Sequence, residues 1–252
     1  MKKPISYLII LTLTVLAFTV NAQDVSLGVR GGLSIPNLSS GNSDNPLNSG
    51  YSSRVGGDAG IFLDFKISNL FSLQPMLEYS QQGGKKNGFQ AFPTPPQVVA
   101  QYPAGYAPTY LWATFNNMSK INYLMLPILA KFGWNFKSAP VRFYVDAGPF
   151  LALLASAHQI TSGSSVVYAD EKQTQPAGGP QSFDNTTDIK SDLHSANVGV
   201  EGNIGFAYKM KKSAIFIEGG FNYGFINIQK GTANGKNNTG AGTVAIGYSF
   251  QL

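Results

Sequence analysis

His158 and His194 are the only two histidines of the chain, and so the only side chains whose ordinary pKa lets them trade a proton near neutrality. His194 follows Asp192 and precedes Ser195. A base beside a hydroxyl and a carboxylate is the minimum for a Ser/His/acid hydrolase. No nucleophile-elbow spacing surrounds it, and a histidine in a polar loop is the simpler reading. Asp184, Asp188 and Asp192 are spaced by four and could bridge divalent cations, but no calcium-loop pattern is present. Cysteine is absent, which excludes disulfides, thiolate metal sites, cysteine nucleophiles and a lipid-attached N-terminal cysteine. The chain is read as a non-enzyme with no catalytic residue, no cofactor and no metal.

A second set of charged residues is larger: Arg30, Asp64, Lys66, Glu78, Lys131, Asp146, Glu201 and Glu218. These eight share one property, which only shows once the elements that carry them are laid out. In residues 121–134 one parity gives Leu124, Leu126, Ile128, Ala130, Phe132 and Trp134, and the other gives Tyr123, Met125, Pro127, Lys131 and Gly133. After a polar turn at 135–141 the alternation resumes, with Phe143, Val145, Ala147, Leu151 and Leu153 opposed to Tyr144, Asp146, Gly148 and Phe150. A period of two marks a strand. Runs of about ten residues or more suit a tilted strand crossing roughly 25 Å of apolar bilayer, whereas strands of a soluble sandwich are usually about five or six.

The same pattern recurs along the chain. Strands are expected at 25–35, 58–66, 71–81, 121–134, 142–157, 198–209, 214–229 and 244–252, eight in all. The loops between them run long, short, long, short, long, short, long, with the long ones at 37–56, 82–120, 161–197 and 231–242. Eight antiparallel strands with both termini on the short-turn side produce that order, giving three periplasmic turns and four outer loops. The aromatics agree. Phe65, Phe71, Trp134, Phe143, Tyr208 and Phe250 have outward parity near the short turns, as an interfacial girdle requires, and Tyr79, Tyr223 and Phe225 mark the other interface.

The fold class is therefore all-β: an eight-stranded antiparallel up-and-down transmembrane β-barrel preceded by a cleavable signal peptide. The eight charged residues all have inward parity. A barrel of this size has a lumen just wide enough for side chains to fill, so they should pair as a structural polar network; a narrow ion path is the sharper alternative. His158 also has inward parity, at the outer end of its strand, and a lipid-modifying enzyme at the outer rim is the other alternative. The loop at 82–120 is distinctive. Phe89, Phe92, Tyr102, Tyr106, Tyr110, Trp112 and Phe115, interspersed with Pro93, Pro95, Pro96, Pro103 and Pro108, offer contact area at low ordering cost and suggest an interaction surface for a protein or glycan. An equal alternative is that part of this loop extends a strand or folds over the rim.

Residues Gly28-Val-Arg-Gly-Gly-Leu33, Asn122-Tyr-Leu-Met-Leu-Pro-Ile-Leu-Ala-Lys131, Tyr144-Val-Asp-Ala-Gly-Pro-Phe150 and Gly247-Tyr-Ser-Phe250 resemble the outer-membrane β-barrel family that includes PorT-like proteins. The resemblance covers most of the chain through strand and turn signatures. It implies an OmpA/OmpX-like eight-stranded barrel in a Gram-negative outer membrane, and through PorT itself a role as an accessory to protein secretion. The closing Phe250-Gln-Leu252 departs from the terminal Phe common in such barrels.

Composition is consistent with this. With 28 Gly, 43% apolar and 12% charged residues among 252, the chain is neither disordered nor a helical bundle. Lys2 and Lys3, an apolar stretch from Ile5 to Val20 and Asn21-Ala22 before Gln23 read as a secretory signal cut after Ala22, so residues 1–22 are the signal and 23–252 the barrel domain. Without Lys2 and Lys3, 16 basic residues face 13 acidic ones, a net of +3, too mild for nucleic acid. Expected partners are outer-membrane lipid and lipopolysaccharide, with a protein partner on the long outer loops. Both mature termini are expected in the periplasm.

Overall fold

Where apolar and polar residues alternate, an extended backbone separates them onto two faces, and each face must find its own solvent. The computed structural model of the chain describes residues 25–40, 45–231 and 235–252; the expected signal, 1–22, lies outside them. The strands are β1 (Val25–Ser40), β2 (Gly56–Lys66), β3 (Phe71–Pro93), β4 (Tyr110–Asn135), β5 (Val141–Ser162), β6 (Ser164–Tyr168), β7 (Pro176–Ser182), β8 (Asn185–Asp188), β9 (Ala196–Lys209), β10 (Ser213–Gly224) and β11 (Asn237–Gln251).

Eight of them close a ring. β1 to β5 pair in sequence, β5 pairs with β9, β9 with β10, β10 with β11, and β11 returns to β1, every pair antiparallel. The seam runs from Ser26 opposite Gln251 to Ser40 opposite Asn237, and the Leu252 N–H donates to the Val25 carbonyl at 3.0 Å. Closure leaves the barrel wall no free edge, which is what a strand in lipid requires.

The wall is apolar outside and polar inside. Leu27, Val29, Ile61, Leu126, Ile128, Ile204, Ile217 and Ile246 are exposed, while Arg30, Asp58, Glu78, Asp146, Glu201 and Glu218 are buried. A soluble sandwich has the reverse arrangement, and an exposed apolar belt of this extent calls for lipid. At the short-turn end Trp134 stacks on Phe143, which in turn packs against Phe206, and Phe71 meets Phe132. Inside, the rings of Phe62 and Phe216 occupy the space that a Cβ on Gly28 or Gly247 would fill, so those two positions admit the aromatics only as glycine.

Three expected boundaries need correction. The segment at 82–120 is mostly not a loop: β3 and β4 continue past the apolar belt, pairing from Gln82 opposite Ile121 to Pro93 opposite Tyr110. Only residues 94–109 connect them, with one helical turn at Pro96–Val99. The segment at 161–197 carries β6, β7 and β8 and a short 3-10 turn, so the sheet holds eleven strands and not eight. The last two strands shift as well: β10 stops at Gly224 instead of 229, and β11 starts at Asn237 instead of 244. The added strand length has one cause, from which the early end of β10 stands apart. Beyond the membrane a strand still pairs but no longer needs an apolar outer face, so it loses the signal that marked it.

His158 also changes place. Between Asn122 and Tyr123 the partner on β5 jumps from Ser156 to Leu154, leaving Ala155 as the extra residue of a bulge. A bulge inverts the parity of the residues beyond it. Gln159 and Thr161 turn inward, and His158 stands opposite Lys120 and Asp188 on the other face. At the matching level of β3, Gly83 takes φ +115° and lies against the Ser119 carbonyl, a position that only glycine fits.

Above this level the extended hairpin of β3 and β4 meets β6, which pairs in turn with β7, and Phe183 just beyond β7. Leu111, Ala113, Phe115 and Val167 are buried between them, with Phe92, Val98, Ala169 and Phe183 packed around. These elements form a small cap on the long-loop end.

Candidate functional site

The lumen holds the first candidate. Arg30 projects inward from β1 and its guanidinium meets four carboxylates from four other strands: Glu78 at 2.6 Å, Glu218 at 2.8 Å, Glu201 at 3.1 Å and Asp58 at 3.4 Å. All five side chains are at most 3 % exposed. One cation thus stitches β1, β2, β3, β9 and β10 together across the barrel, with charge-assisted bonds that owe their strength to the exclusion of water. The Tyr144 hydroxyl donates to Glu218 at 2.6 Å, and Asn203 Nδ2 donates to Asp146 at 2.9 Å and to Glu201 at 3.2 Å.

Below this cluster Lys131 lies 3.9 Å from Asp64, donates to Gln74 at 2.9 Å and sits 3.9 Å from the centre of the Tyr144 ring. Of the eight inward charges, the structure brings Arg30, Glu78, Glu201 and Glu218 into direct contact, joins Asp146 to them through Asn203, and leaves Asp64 with Lys131 as a separate pair. Lys66 stands apart, exposed at the short-turn mouth. Asp58, Tyr144, Gln74 and Asn203 complete the network; their inward parity was legible, but nothing in the sequence says which inward residues meet.

Apolar layers fill the lumen on both sides of the charges. Phe62, Met76, Leu129, Tyr144 and Phe216 pack toward the short-turn end. Leu38, Ile121, Tyr123, Met125, Phe150, Leu154, Leu193 and Ile228 pack toward the long-loop end. A cavity lies at each mouth. The short-turn cavity, about 240 Å³, is lined by Lys66, Lys131, Arg142 and Lys209 with Asp64 as the one carboxylate. The long-loop cavity is about 420 Å³ and sits under the cap, where Tyr51, Phe92, Phe115, Asn117, Gln159 and Asp192 are among its walls.

The aromatics of the hairpin divide into two groups. Phe89 stacks on Trp112 with centroids 5.8 Å apart and meets Tyr168 edge-on, so Phe89 and Trp112 are engaged in holding the cap. Phe92 packs edge-on against Phe115 and Phe183, which stack on each other at 4.6 Å. Tyr110 is half-buried at the last paired position. Tyr102 and Tyr106 lie on the connecting loop, and Tyr106 is 79 % exposed. The equal alternative, that the segment extends a strand, accounts for four of the six expected contact residues; two remain free to meet a partner.

The remaining candidates serve the loops. Asp184 accepts from the Gly163 N–H and the Ser182 hydroxyl, and Asp188 accepts from the Lys190 N–H, as turn-capping carboxylates do. The His194 N–H donates to the Ile228 carbonyl. Burial pulls the Lys86 ammonium pKa down while its Nζ donates to the Pro46 carbonyl at 2.6 Å. Burial also pushes the Tyr51 hydroxyl up, partly opposed by its hydrogen bond with Ser119.

A family model described as outer membrane protein β-barrel domain matches residues 21–230. No curated protein matches the chain. Among solved structures, Neisserial surface protein A aligns at 14% identity over 90% of this chain and 97% of its own, with a TM-score of 0.40. OprG from Pseudomonas aeruginosa aligns at 9% identity over 91% and 98%, with a TM-score of 0.38. Ail of Yersinia pestis, solved with the heparin analogue sucrose octasulfate, aligns at 8% over 90% and 99%, with a TM-score of 0.35.

Proposed function

The chain belongs to the outer membrane protein β-barrel domain family, and from that premise we propose that it is a binding protein of the bacterial outer membrane that presents its cap to the medium. Both termini and the short turns then lie in the periplasm, and the apolar belt contacts lipid and lipopolysaccharide. The observation that carries this reading is the course of β3 and β4. They cross the apolar belt and stay paired beyond it, over Gln82 to Pro93 on one strand and Tyr110 to Ile121 on the other, building a cap over a lumen that is packed with side chains. Extending strands beyond lipid costs chain entropy that membrane insertion does not need. A filled interior supports recognition at the surface in preference to conduction.

The exposed contact surface is the tip, residues 94–109, where Tyr106, Val99 and Tyr102 are exposed, Tyr106 the most of the three. Replacing residues 94–109 by a two-residue turn between Pro93 and Tyr110 keeps every paired position. The shortened protein should still migrate as a heat-modifiable barrel, while a photocrosslinker at Tyr106 in the full chain should capture a discrete partner in intact cells. Crosslinking that yields only lipid would reject the tip as a protein contact. The finer form of the proposal is a PorT-like accessory to secretion, supported by the motif resemblance at 28–33, 122–131, 144–150 and 247–250. It requires exported cargo to accumulate inside a strain lacking the protein, and normal export in that strain would remove it.

A further inference from the structure

We infer that the cavity under the cap is a binding site for a neutral saccharide of one or two rings. This rests on the reading of the cap as a recognition element and names what the cap recognises. At about 420 Å³ the cavity falls in the range of small-molecule sites. Its lining is chemically unusual for a barrel mouth. Six carboxamides, Gln90, Asn117, Gln159, Asn185, Gln229 and Asn237, border it, and Asp192 is the one charged residue among the described lining residues. The opposite mouth has four cations in its wall, so the lack of cations among the described lining residues here is a property of this site and not of both ends of the barrel.

The carboxamides are held in place by bonds that leave ligand-binding groups over. Gln90 is 2 % exposed, and its Nε2 donates to the carbonyls of Phe115 at 2.7 Å and Lys86 at 3.0 Å. That fixes the side chain and leaves Oε1 without a partner among the described residues. Gln159 Nε2 donates to Asn117 Oδ1 at 3.1 Å, leaving the Gln159 carbonyl as an acceptor and the Asn117 amino group as a donor. Asn117 is itself 7 % exposed. A pre-oriented donor and acceptor side by side match a pair of neighbouring hydroxyls, each of which both gives and takes a hydrogen bond. Buried amides with open valences also discriminate strongly, since a ligand without hydroxyls would leave them unpaired.

The other wall supplies the apolar half of a sugar site. The partly buried rings of Phe92 and Phe183 border the cavity and are held by the buried Phe115, which stacks on Phe183 with an interplanar angle of 7° and meets Phe92 edge-on; they offer an apolar surface on which the C–H face of a pyranose can lie. Asp192 adds one carboxylate able to accept from two hydroxyls. An anionic glycan would meet that carboxylate and no cation in the lining, so the chemistry selects a neutral ring.

The test uses the full chain in detergent micelles and saturation-transfer NMR with glucose, galactose, N-acetylglucosamine, maltose and lactose, and heparin disaccharide as the charged probe. The expected result is transfer to at least one neutral sugar and none to the heparin disaccharide, with affinity falling about tenfold for each lost hydrogen-bonding amide in N117A and Q159A. Heat-modifiability and intact β4–β5 pairing by hydrogen exchange must be retained in both variants, and N117S, which keeps a hydroxyl donor, should recover part of the loss. Transfer to no neutral sugar, transfer unchanged in N117A and Q159A, or binding of the charged probe alone would each overturn the assignment. None of these outcomes bears on crosslinking at Tyr106, so the saccharide site and the wider recognition role fail separately.

Discussion

Strand β4 keeps one pleat from Tyr110 to Asn135 but lives in two solvents. In its second half the outward residues are Leu124, Leu126, Ile128, Phe132 and Trp134, all exposed. In its first half the same parity gives Thr114, Asn116, Met118 and Lys120, also facing out. The inward side does not switch in step: Leu111, Ala113 and Phe115 are buried in the cap, and in the barrel Tyr123, Met125 and Leu129 pack in the lumen above Lys131 and the charge network. The hydrophobic effect keeps apolar groups off a face that meets water; where lipid is outside, the outward face must be apolar and the lumen is the one place left for charge. The crossover lies at Asn122, on the bulge.

Single substitutions can break that division. Arg30→Met should have the largest effect, because Glu78, Glu201, Glu218 and Asp58 would be left buried without their cation; breaking a buried pair in this way costs about 3–5 kcal/mol. Urea titration of the purified barrel in micelles, followed by its loss of heat-modifiability, measures it. Phe115→Ala should cost about 3 kcal/mol, but only in the cap. Proteolysis within residues 94–109 should quicken while the barrel's urea midpoint stays put, and a fall of both together would mean cap and barrel are one cooperative unit.

Ile128→Lys and Thr114→Lys form a matched pair on the same face of β4. A lysine near mid-membrane on a barrel's lipid face costs about 2–4 kcal/mol, whereas a lysine on an exposed strand in water costs about 0.5 kcal/mol or less. Equal effects would abolish the boundary. The smallest effect comes from Tyr51, where burial pushes the hydroxyl above its usual pKa against the opposing bond to Ser119. The folded chain holds that proton more firmly than the unfolded one does. The stabilisation is therefore complete below the unfolded value of about 10 and is lost as pH rises through the folded value. Cap proteolysis should accelerate above pH about 10 in the parent and less so in Tyr51→Phe.

The two halves of β4 also explain why some features were legible and others not. The eight wall strands, their inward and outward faces and the aromatic girdle could be read directly, because within lipid every second residue must be apolar. The extensions of β3, β4 and β5 could not be bounded, and strand extension at 82–120 stood only as an equal alternative, since Thr114, Asn116 and Lys120 look like a loop once the outward face is wet. The amides of the saccharide site, Gln90, Asn117 and Gln159, were hidden for the same reason. Parity puts His158 on the wrong face because counting in twos fails silently across an extra residue, and Ala155 carries no mark of being one.

From its sequence alone the chain was determined to be an eight-stranded wall with charges inside, because alternation is a local property enforced residue by residue by the bilayer. Only the tertiary structure decided which of those charges meet Arg30, where the bulge falls, and that the aromatic hairpin folds back into a cap over a cavity. Those depend on register between strands far apart in the chain, and register is set by closing the ring, which no single strand encodes.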